Sequence, residues 1–106
     1  MEGKKAYLQS RDTVLGAVHD IVELTKGKNT VGDTANGKLS THLTMYGYKW
    51  EVRFTVLDVG RNRSCATVEI VGERSDKRKE IQSMFALLDS MLLVGAEIMF
   101  TEMAEQ

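Results

Sequence analysis

Proline is absent from all 106 residues. No strand edge can therefore be blocked by a residue without an N–H, so charge and bulges must keep edges from pairing with other chains. A single cysteine, Cys65, excludes an internal disulfide, and a reducing, cytoplasmic setting is the expectation. An excess of either charge is missing too. The 14 Lys and Arg face 15 Asp and Glu, a net charge of −1, so no global field draws the chain to nucleic acid or to an anionic membrane. No apolar run reaches the roughly 18 residues of a membrane span. Met1-Glu2-Gly3-Lys4-Lys5 leads into no continuous apolar segment, so no secretory signal is expected. No linker, repeat or low-complexity stretch divides the chain, and one domain over 1–106 is expected.

What is present is a regular alternation of periods. Ala6-Tyr7-Leu8 reads as a short first strand, followed by an N-cap at Ser10 or Asp12. Val14, Leu15, Val18, Ile21 and Val22 then fall at helical spacing, with Gly27 as a left-handed stop. Strands are expected over 30–34 and 38–45, joined through Ala35-Asn36-Gly37. A tight turn at Tyr46-Gly47 leads into a strand over 48–58. That turn pairs Leu43 with Trp50, Thr41 with Val52 and Leu39 with Phe54, and sets His42 opposite Glu51 on the other face. A further hairpin near Arg61 pairs Phe54 with Val68, Val52 with Ile70, Arg53 with Glu69 and Thr55 with Thr67. One face is apolar throughout and the other is charged or hydroxyl-bearing, which marks an antiparallel sheet covered on one side. Ser75 or Asp76 caps a last helix. The expected fold is α+β, a two-layer β-α-β-β-β-β-α domain with two helices on one sheet face.

The opening Tyr7-Leu8-Gln9-Ser10-Arg11-Asp12-Thr13-Val14, strand then capped helix, and the closing Phe85-Ala86-Leu87-Leu88-Asp89-Ser90-Met91-Leu92 carry a resemblance. In this order the chain resembles a shortened helix-grip protein of the START/Bet v 1-like (SRPBCC) superfamily. The resemblance implies a pocket for a small hydrophobic ligand between sheet and last helix. The same element order also resembles one half of a TATA-binding-protein-like repeat, and fold similarity does not by itself give function.

The last helix is apolar over an unusually wide arc. Ile81, Met84, Phe85, Leu88, Leu92 and Met99 form one stripe, and Leu87, Met91, Val94 and Ile98 a second, together covering roughly 200°. One stripe suits the protein's own sheet. The second calls for a partner, and packing against a second copy would bury it. Leu87, Met91, Val94 and Ile98 are thus candidate interface residues of a homodimer. If a ligand fills the space instead, Leu39, Thr41, Trp50, Val52, Phe54, Val68, Phe85 and Leu88 would line it, with Asp33 and Thr41 as its polar groups.

Residues able to carry chemistry are few. His19 and Glu23 share a helix face but supply only two metal ligands. His42 opposite Glu51 reads as a cross-strand pair. Cys65 lacks a histidine or CxxC companion and reads as a plain thiol. Arg61, Arg63, Arg74, Lys77, Arg78 and Lys79 concentrate positive charge, but Glu69, Glu73, Asp76 and Glu80 are interleaved with them, and a solvated surface is preferred to nucleic-acid binding. Trp50 reads as core, with Tyr46 and Tyr48 at a rim. No motif for nucleotide, metal or acyl chemistry appears, so no cofactor and no catalytic residue is assigned. A non-catalytic interaction module that self-associates through its last helix is the first reading, a small-ligand binder the second and an enzyme the third.

Overall fold

The computed structural model describes residues 2–72 and 76–104, with side chains through residue 92. Strand β1 (Glu2–Tyr7) is followed by helix α1 (Arg11–Thr25), then β2 (Lys28–Asp33), a 3-10 turn (Thr34–Asn36), β3 (Lys38–Met45), β4 (Tyr48–Gly60), β5 (Arg63–Val71) and helix α2 (Arg78–Ala104). The five strands form one antiparallel sheet in the order β1-β5-β4-β3-β2. Both helices pack on one face, so the fold is the expected two-layer α+β arrangement.

The register follows the alternation of side chains. Leu39 lies opposite Phe54, Thr41 opposite Val52 and Leu43 opposite Trp50, while Phe54 lies opposite Val68 and Val52 opposite Ile70. A slip of one residue would turn this whole apolar set to water. Tyr46 and Gly47 both have positive φ, 52° and 81°, the pattern of a type I′ turn whose twist matches the flanking strands. Trp50, Phe54, Ile21, Ile70, Met84 and Leu88 are the largest fully buried side chains, and burial of each such group is worth about 1.5–3 kcal/mol.

Helix α1 begins at Ser10, whose Oγ accepts from the Thr13 amide at 3.4 Å. Asp58, 47 positions away on β4, accepts from the Arg11 amide at 3.0 Å and so satisfies a second free donor of the first turn. At the other end the structure corrects the sequence expectation. Lys26, not Gly27, adopts the left-handed conformation, with φ of 55°. A non-glycine residue there costs about 1 kcal/mol. The Lys26 and Gly27 amides bond back to the carbonyls of Glu23 and Val22 at 3.3 and 2.9 Å. Gly27 is needed for space, because a Cβ at that position would collide with Thr41 Oγ1 and lie 3.2 Å from Val22 Cγ1. The turn after α1 thus lies directly against the Thr41 side chain of β3.

Gly3 plays the same part for α2. A Cβ on it would lie 2.7 Å from Ile81 Cγ2 and 3.0 Å from Phe85 Cε2, so the helix rests directly on β1. The β3–β4 turn is also tied to α2. The Tyr46 hydroxyl shares a hydrogen bond with Ser83 Oγ at 2.7 Å, and Lys79 Nζ stands 4.6 Å from the centre of the Tyr46 ring.

Candidate functional site

The space between sheet and α2, where the helix-grip resemblance places a cavity, is filled by side chains. Trp50, Val52, Phe54, Val68 and Leu88 are each no more than 2% exposed, and Leu39 is 3% exposed. At two points the approach is close: Gly3 of β1 lies against Ile81 and Phe85 of α2, and Gly27 after α1 lies against Thr41 of β3. The two polar groups expected for such a cavity have other work. Thr41 Oγ1 bonds Thr30 Oγ1 at 2.9 Å and donates to the Lys28 carbonyl at 3.3 Å, stitching β3 to β2. Asp33 is exposed and caps the 3-10 turn, accepting from the Asn36 amide and from Asn36 Nδ2 at 3.4 and 2.7 Å. Phe85 is half-buried over Gly3. Asp33, Leu39 and Phe54 meet at the wall of a surface depression of about 290 Å³ along β2, β3 and β4, and the rest of the expected lining belongs to the core or its margin.

The two stripes of α2 are less distinct in space than on a helical wheel. Ile81, Met84 and Leu88 are buried in the core. Leu87 and Met91 of the second stripe, with Phe85 and Leu92 of the first, pack against that core while remaining partly accessible. Helix α1 also packs against α2. Val94 and Ile98 lie outside the residues whose side chains are described, although the α2 backbone runs on to Ala104.

The polar face of the sheet carries a row of ion pairs. Arg53 sits between Glu51 at 2.7 Å and Glu69 at 2.9 Å, and Glu51 above all holds its guanidinium more firmly protonated than usual. His42 Nε2 stands 3.9 Å from Glu51 Oε1, the expected cross-strand neighbour. Cys65 is half-buried on this face between Ala6 and Leu57. His19 and Glu23 are exposed on α1, and no group of three His, Cys, Asp or Glu able to hold a metal occurs among the described residues.

The basic cluster read from the sequence is divided by the fold. Arg61 and Arg63 belong to the β4–β5 hairpin, whereas Lys77, Arg78 and Lys79 follow the far end of β5; Arg74 lies outside the described residues. The strand between the two groups spans about 30 Å at ~3.4 Å per residue, so they cannot act as one patch. Arg78 is further held by Asp76 at 3.2 Å. Among the described residues no helix is long and apolar enough to cross a membrane. In comparisons with known proteins, no family model matches the chain and no curated protein matches it either.

Proposed function

We propose that the chain is a non-catalytic interaction module that forms a homodimer through α2. The observation that supports this reading is the wide apolar arc of α2, part of which stays accessible where its side chains are described. Ile81, Met84 and Leu88 are buried, Phe85, Leu87, Met91 and Leu92 are only partly so, and the helix backbone continues to Ala104. The sequence of that continuation remains apolar, with Leu93, Val94, Ile98, Met99, Phe100 and Met103. An apolar helix of this length in water favours a partner, and a second copy meeting it across a two-fold axis buries both at once. The partly accessible Leu87 and Met91 extend the same surface toward the core.

Light scattering over a range of concentrations tests this reading. The expected mass is about twice the 11.9 kDa of one chain. Val94→Glu with Ile98→Glu is expected to give a monomer with an unchanged circular-dichroism spectrum. A monomeric parent chain at every concentration would overturn the proposal.

A further inference from the structure

One corner of the sheet gathers positive charge that no carboxylate among the described residues pairs with. A surface pocket of about 370 Å³ opens there between the end of α1, the start of β2 and the β3–β4 hairpin. Lys26, Lys28, Asn29, His42, Thr44 and Lys49 contribute to its walls, and no carboxylate among the described residues does. The register explains their meeting: Lys28 lies opposite His42, and Thr44 lies opposite Lys49. Among the described residues Lys26, Lys28 and Lys49 make no ion pair. Glu51 approaches His42 at 3.9 Å but is itself bound to Arg53 at 2.7 Å. In a chain of net charge −1, bulk composition does not account for this grouping.

The backbone turns sharply at this corner. Lys26 and Asn29 are both left-handed, at φ of 55° and 53°. Glycine is the default in that conformation, so the strained turn sets a lysine and an amide side chain where unstrained residues would serve the fold equally. Pairing with β2 stops at Lys28 while β3 runs to Met45, so Leu43, Thr44 and Met45 have a strand only on the β4 side. Along that edge the main chain has no β2 partner among the described residues. The negative end of α1 is blunted, because Ile21, Val22 and Glu23 carbonyls already accept from Thr25 Oγ1, the Gly27 amide and the Lys26 amide.

We propose that this pocket binds a phosphate-bearing small molecule. Lys26, Lys28 and Lys49 contact phosphate oxygens as point charges, and Asn29 and Thr44 add hydrogen bonds. The volume falls within the range of about 300–1,000 Å³ of small-molecule sites. A longer nucleic acid needs a continuous basic track, and Arg61 and Arg63 lie at the opposite end of the sheet.

The test is an amide NMR titration of the whole chain with adenosine monophosphate, inorganic pyrophosphate and a twelve-nucleotide single strand in turn, at about 0.15 M salt. Saturating shifts confined to 25–29, 42–44 and 49, with a dissociation constant below about 1 mM for either small probe, are expected. Equal affinity for the two small probes would mean that phosphate alone is read, and tighter binding of the nucleotide that the base or sugar is also held; each supports the proposal. Lys28→Glu with Lys49→Glu should weaken binding at least tenfold, as should Lys28→Met with Lys49→Met, which adds no charge. Lys38→Glu, at the far end of β3, should leave it unchanged. Shifts that fail to saturate or spread equally to Lys4 and Lys38 would overturn the proposal. So would retained affinity in both double variants, or tighter binding of the twelve-nucleotide strand with shifts reaching Arg61 and Arg63.

Discussion

The Tyr7 hydroxyl donates to Asp89 Oδ1 at 3.0 Å, joining the first strand to the last helix across 82 positions of sequence. Lys5 Nζ lies 2.6 Å from the other carboxylate oxygen, so one aspartate on α2 gathers two donors from β1. Burial, and then the hydrogen bond to Asp89, push the Tyr7 phenol well above its ordinary range. The unfolded chain loses that proton near pH 10, the folded one only at higher pH. Below about pH 10 both states are protonated and the contribution to stability is complete; above it the unfolded state is favoured and stability falls as pH rises. Urea unfolding between pH 9 and about 11.5 should show this decline, and Tyr7→Phe should flatten it while costing about 1 kcal/mol at neutral pH.

Gly27→Ala should destabilise the chain by about 1–3 kcal/mol, because the added methyl meets the buried Thr41 and the adjacent Val22 side chain. Lys26→Gly, one position earlier, should do the reverse and stabilise by up to about 1 kcal/mol, since it relieves the left-handed residue. Opposite shifts of the melting temperature from two neighbouring positions would separate the demand for space from the demand for conformation.

Ser64 Oγ is buried and finds no hydrogen-bond partner among the described residues. Such a group loses its hydration without return. Ser64→Ala should therefore raise the urea midpoint, by about 1 kcal/mol of stability, with an unchanged denaturant slope.

The close seat of α2 on β1 makes a local forecast. Gly3→Val should lift the helix from the strand and speed hydrogen exchange at the amides of β1 by tenfold or more, corresponding to roughly 1.4 kcal/mol of local stability. Exchange in β3, where no contact to α2 is altered, should change less.

The pairing of β3, β4 and β5 is legible in the sequence because strict alternation allows one register that keeps apolar residues together; His42 with Glu51 and Arg53 with Glu69 fall out of the same arithmetic. The close approaches are not. Nothing in the residue types around Gly27 says that Thr41 will lie against it, so the glycine reads as a helix stop, and Asp58 reads as a strand end although it caps α1. Charge is misleading for the same reason. Arg61 to Lys79 are near in sequence and apart in space, whereas Lys26, Lys28, His42 and Lys49 belong to four separate elements or turns and share one pocket. The helical wheel of α2 likewise omits its neighbours in the fold: Leu87 and Met91 pack against the core while staying partly accessible.

Strand β1 pairs only with β5, so Glu2 must wait for Glu69. A chain emerging from the ribosome can close the β2–β3–β4 meander from neighbouring segments, but its first strand has no docking edge until Arg63 to Val71 have been made. That pairing closes the longest loop in the sheet and raises the contact order of an otherwise local topology. Strand β1 thus has to wait for β5 before it can pair, and until then the sticky backbone of Glu2–Tyr7 is guarded by two lysines and a glutamate in place of the prolines this chain lacks.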